Sequence, residues 1–169
     1  MKRLFFIVIA ALILSPVVLA QRSAAAKADP TKPVREAFDR LIDGIKQVDA
    51  VKVMDAYEKS DRLLIFNNNG TATIGWESVK SNVESSYPKI TNVSLEITGL
   101  RVEMMGTRAA YVSCKWKQSQ ENDGKLETAA GRMTLVYKLV GKDWKITHRH
   151  TSPDRPDATR PVFPSERQP

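Results

Sequence analysis

Cysteine is almost missing from this chain. Cys114 is the only one in 169 residues, so no disulfide can form within it. That excludes the disulfide frameworks of small exported domains and leaves Cys114 either buried and inert or bridged to another chain. Histidine is nearly as scarce. His148 and His150 are the only two, and a zinc site would need a third ligand such as Glu77 or Glu103 beside them. Neither can be placed there from the sequence, so no metal and no cofactor is expected. The net charge of +7 is not gathered into a Lys/Arg run interleaved with aromatics, the pattern that nucleic-acid binding needs. Nucleic acid is therefore not an expected partner. No phosphate-cradling glycine loop, nucleophile signature or Cys/His metal spacing occurs.

What is present begins with an export signal. Met1-Lys2-Arg3 is a short positive segment, and residues 4–20 are apolar almost throughout. Ser15-Pro16 breaks that run near its end, and Val18-Leu19-Ala20 presents small or modest side chains to a signal peptidase. The expectation is a signal peptide over 1–20, cleaved before Gln21, and delivery to the periplasm or outside the cell. The mature chain would then have no membrane association. An uncleaved anchor is the competing reading, since the apolar run is at the lower edge for a spanning helix.

Residues 21–32 read as a small-residue linker. Pro33 then opens a helix, where its missing N–H costs nothing. Val34, Phe38, Leu41, Ile42 and Ile45 recur at helical spacing and form one apolar stripe. A second short helix is predicted from about Asp49, with Val51, Met54 and Tyr57 inward. Residues 63–66 read as a buried strand ended by the turn Asn67-Asn68-Asn69-Gly70. A third helix carries Trp76, Val79, Val83 and Tyr87, and Pro88 stops it. The period then changes to two. Residues 92–102, 108–119, 125–139 and 144–151 read as four long strands joined by hairpin turns, with a bulge expected at Gly99. Helices grouped before a strand meander predict an α+β domain over 33–152, with three helices on one face of a strongly curved, mainly antiparallel sheet. Five of the nine prolines fall in 153–169, which reads as a disordered tail.

Three segments carry a family likeness: Leu64-Ile65-Phe66 with its Asn/Gly turn and Gly75-Trp76-Glu77-Ser78-Val79; Gly131-Arg132-Met133-Thr134-Leu135-Val136-Tyr137; and residues 141–152, Gly-Lys-Asp-Trp-Lys-Ile-Thr-His-Arg-His-Thr-Ser. Together they resemble the SnoaL-like branch of the nuclear-transport-factor-two-like superfamily. The last two are similar to the association-domain subgroup related to the calmodulin-dependent kinase hub. The resemblance implies a cone fold, a pocket between helices and sheet, and a homodimer formed through the sheet. It names no reaction, because the fold hosts isomerases, cyclases, dehydratases, hydrolases and non-catalytic domains. Ketosteroid-isomerase-like members place an acidic base just after the first strand. Asn67 stands there instead, and an amide cannot abstract a proton.

His148 and His150, two residues apart on a strand, should share a face with Trp144 and Ile146. If that face is the concave one, they line the pocket as an acid/base or hydrogen-bonding pair; otherwise one is a satisfied core histidine. Arg132, on the same strand face as Thr134, suits a carboxylate if it points inward, and a salt bridge or a solvated strand end if it does not. The resemblance places a pocket arginine here. Tyr57 is the best hydroxyl donor. Asn67 can contact a ligand or cap its turn, and Trp76 and Trp116 supply aromatic bulk that is either core or pocket wall. The function expected is the binding of a small, partly apolar and anionic molecule, with cofactor-free lyase, isomerase or hydrolase chemistry as its enzymatic form. The rival is a structural or dimerisation domain with a filled cavity.

Overall fold

The computed structural model describes residues 28–154. The leader, most of the linker and the tail beyond 154 lie outside the described residues. The chain runs as helix α1 (Lys32–Lys46), helix α2 (Ala50–Asp55), strands β1 (Leu64–Phe66) and β2 (Ala72–Ile74), and helix α3 (Trp76–Ser86). A 3₁₀ turn (Tyr87–Lys89) follows, then strands β3 (Ile90–Met104), β4 (Ala109–Asn122), β5 (Lys125–Val140) and β6 (Asp143–Pro153). The six strands form one sheet in the order β2-β1-β6-β5-β4-β3. All neighbours are antiparallel except β1 and β6. The helices pack on one face of this open, curved sheet, as the α+β reading requires.

The apolar stripe of α1 is buried as its spacing predicts: Val34, Phe38, Leu41 and Ile42 all face the sheet. In α2 the stripe is different. Asp49 caps the helix through Lys52 N–H, and Val53, Met54 and Tyr57 are buried while Val51 is 80% exposed. Six residues are fewer than two turns, so tertiary packing rather than spacing decides which side faces in. β2 was not expected from the sequence. It pairs with β1 across the turn that follows Phe66, where Asn67 N–H donates to Thr71 C=O and Gly70 N–H to Asn67 C=O.

The ladder has three register shifts, one of them near the start of β3 between Thr91 and Ser94. At Gly99, with φ +63°, the β3–β4 register shifts between Thr98 and Arg101, the bulge that the sequence places there. The third shift separates Val136 from Tyr137. Tyr137 pairs with Ile146 and Val136 with His148, so Thr147 is an extra residue in β6. One extra residue reverses the in/out alternation beyond it. β6 also continues through Ser152, paired with Arg132, to Pro153, paired with Gly131. β6 thus ends at Pro153, one residue past the domain end read from the sequence at 152. Gly131 admits this close approach because it has no side chain; a Cβ there would strike Ser152 C=O.

Candidate functional site

Beneath the helices lies a cleft of about 280 Å³. Ile45, Val53, Ile65, Val79 and Val83 give it an apolar wall, and Tyr57, Asn67, Asn82, Tyr87, Gln118 and Arg149 are its main polar lining. Arg149 is the one charged residue of that lining. It is inward because of the extra Thr147: beyond that bulge, Arg149 takes the face of Trp144 and Ile146, and pairs across β1 with buried Ile65.

The half-buried guanidinium is held but not neutralised. Its Nη1 donates to the Tyr57 hydroxyl at 2.9 Å and its Nη2 to Asn67 Oδ1 at 3.3 Å. Asn67 is itself fixed, its Nδ2 donating to the Thr71 and Thr73 hydroxyls at 3.1 Å each. The Nε is buried without an acceptor. No carboxylate among the described residues forms an ion pair with Arg149. A guanidinium has five N–H donors, so most of its hydrogen-bonding capacity is unspent. Tyr87 lies against the same space. Burial, and then the neighbouring Tyr57, push its phenol up to about 12, with Arg149 pulling the other way.

Of the sequence candidates, Tyr57 and Asn67 lie in this cleft. The others do not. His148 and His150 face the outer side of the sheet, contrary to the alternation expected from Trp144, because Thr147 shifts their phase. Both rings pack edge-on against Phe66, each 5.6 Å from its centroid. His148 Nδ1 hydrogen-bonds Leu64 C=O at 2.9 Å. Arg132 and Thr134 are also outward and exposed, since Met133, Leu135 and Tyr137 take the buried face of β5. Among the described residues Arg132 donates only to Pro153 C=O, through Nη2. Trp76 stands in a separate groove outside the cone with Met54 and Val51, flanked by the Lys59 and Lys80 ammonium groups at 5.0 and 5.5 Å from its ring. Trp116 sits beyond the cleft on the inner face of the β4–β5 hairpin, with Gln120 and Glu127. Cys114 is buried in the core as a free thiol, which burial pushes up to about 11.

The SnoaL-like domain family matches residues 34–156. The chain belongs to this family. Solved structures agree on the fold of this SnoaL-like domain. A nuclear-transport-factor-2-like superfamily protein from Salmonella enterica superposes with a TM-score of 0.69 at 16% identity, over 79% of this chain and 97% of that one. A ketosteroid isomerase-like protein from Erwinia carotovora gives 0.64 at 16% identity, over 77% and 100%. A candidate calcium/calmodulin-dependent protein kinase II association domain from Xanthomonas campestris gives 0.61 at 17% identity, over 76% and 90%. No match is found among curated proteins. In this SnoaL-like domain sequence reasoning passed over Arg149, although it stands between the two histidines in the last strand.

Proposed function

We propose that this SnoaL-like domain is exported and binds a small anionic molecule in its cone without turning it over. The observation that carries the reading is the uncompensated Arg149 guanidinium inside a cleft whose other lining residues are all uncharged. A buried or half-buried charge is costly unless paired, and a ligand carboxylate supplies the missing partner through charge-assisted hydrogen bonds. Tyr57 and Asn67 orient the guanidinium for it. The lining argues for binding over catalysis. Among the described residues the lining holds no carboxylate, imidazole or thiol, the side chains that most often take a proton in catalysis. The leader at residues 1–20 supports export.

The reading is tested by thermal unfolding with a panel of short carboxylates. A ligand at 100 times its Kd adds about 2.7 kcal/mol, a shift of several degrees for a domain of this size. The shift should vanish in Arg149→Gln and persist in Arg132→Ala. A panel that moves nothing, or moves both variants alike, defeats it.

One observation favours a second reading alongside the first. The outer sheet face exposes Phe66, Ile74 and Tyr111, which supports a homodimer packed through the sheet. Large apolar residues grouped on one face mark contact surfaces. Sedimentation equilibrium should find a dimer that Phe66→Lys splits into monomers; a wild-type monomer at every concentration removes the idea.

A further inference from the structure

We infer, building on the anion-binding reading above, that the ligand is a monocarboxylate carrying a compact apolar body, and that dianions and free acetate are poor substitutes. Three features of the cleft lead there. The first is charge. Arg149 is the only cation of the lining, and the groups around it (Tyr57, Asn67, Thr73 and Gln118 among them) are neutral. One carboxylate balances that charge. A second would meet no cation in the lining, and wherever it is held inside the mouth it loses hydration without a charged partner in return.

The second feature is the wall. Ile45 comes from α1, Val53 from α2, Ile65 from β1, and Val79 and Val83 from α3. Aliphatic side chains from four elements converge on the space beside the guanidinium; Val53, Ile65 and Val79 are already buried, but Ile45 and Val83 are only partly so, and a ligand with an apolar body covers them. Each buried CH₂ is worth about 0.8 kcal/mol, and acetate offers a single methyl group. The third feature is size. A cleft of about 280 Å³ corresponds to roughly nine water volumes at ~30 Å³ each. That suits a body such as one aromatic ring or a chain of about six carbons. The exposed mouth is lined by Asn82 and Ser86, neutral groups that accept a hydroxyl or carbonyl substituent at the far end of the ligand but hold no second charge.

The test is titration calorimetry on the mature protein with three matched sets. These are benzoate and hexanoate as monoanions, phthalate and adipate as dianions, and benzamide and hexanamide as neutral isosteres, with acetate as the bare head group. The two monoanions should bind at least about tenfold tighter than every other probe, the step that ~1.4 kcal/mol corresponds to. In Arg149→Gln, checked for native circular dichroism, the preference for acid over amide should disappear. Dianions binding as tightly as monoanions, or acetate as tightly as hexanoate, would overturn the ligand class while leaving an anion site in place. Amides binding as well as acids in the wild type, or no probe binding at all, would overturn both the class and the anion reading beneath it.

Discussion

Arg149→Met is expected to leave the unliganded domain as stable as the parent, or more so, while carboxylate binding falls about 100-fold or further. The two halves of this result separate a ligand-binding arginine from a structural one. Truncating one partner of a buried ion pair costs about 3–5 kcal/mol because the other charge is stranded. Arg149 strands nothing of that kind. Its partners are the Tyr57 hydroxyl and the Asn67 amide oxygen, and water entering the cleft can satisfy both. Removing the guanidinium also removes a charge with no counter-ion and an Nε with no acceptor. Binding sites commonly hold such unfavourable groups at the expense of stability. In the liganded state the substitution deletes the charge-assisted contacts, and roughly 3 kcal/mol of lost affinity is the stated factor. Urea unfolding and calorimetry read the two quantities independently. A fall of about 3 kcal/mol in the unliganded variant would make Arg149 a structural residue, whatever happened to binding.

Phe38→Ala is expected to destabilise the domain by about 3–5 kcal/mol, the cost of a large cavity in a close-packed interior. Phe38 is 2% exposed at the middle of the α1 stripe, in one core with Val102, Leu135 and Tyr137 of the sheet. Helix and sheet have no other way of filling that volume. Val51→Ala is the matched control. It removes an apolar side chain from the neighbouring helix, but one 80% exposed, and should change stability by no more than about 0.5 kcal/mol. Equal effects in the two variants would mean that α1 is not packed as described.

The contrast between those residues also marks how far the sequence could be read. The stripe from Val34 to Ile45 repeats over about three turns, and the long strands repeat their alternation many times, so periodicity outweighs any single position there. Fold class, helix order, the Gly99 bulge and the hairpins were legible for that reason. α2 spans too few residues for such averaging, and Val53 rather than Val51 turned inward. β2 is three residues of Ala-Thr-Ile beside a turn, too short to register as a strand. The site failed to read through at one residue. Thr147 is extra in its ladder, yet nothing local, neither glycine nor proline, announces a bulge there. Counting by two from Trp144 therefore put the histidines inside and Arg149 outside, the reverse of what the pairing with β5 enforces. Tyr57 and Asn67 do line the cleft, because their placement depends on helix and turn chemistry and not on strand phase.

The parallel pairing of β1 with β6 has a consequence for the order of folding. Arg149 meets Tyr57 across 92 residues of sequence, and Leu64 meets His148 only when the final strand inserts between β1 and β5. Closing so long a loop is the slow, entropically costly step of assembly. Helices and the β3–β5 meander can form beforehand, but the cleft around Arg149 cannot. The proposed ligand would therefore hold on only to the finished cone, and its binding would report the docking of the last strand.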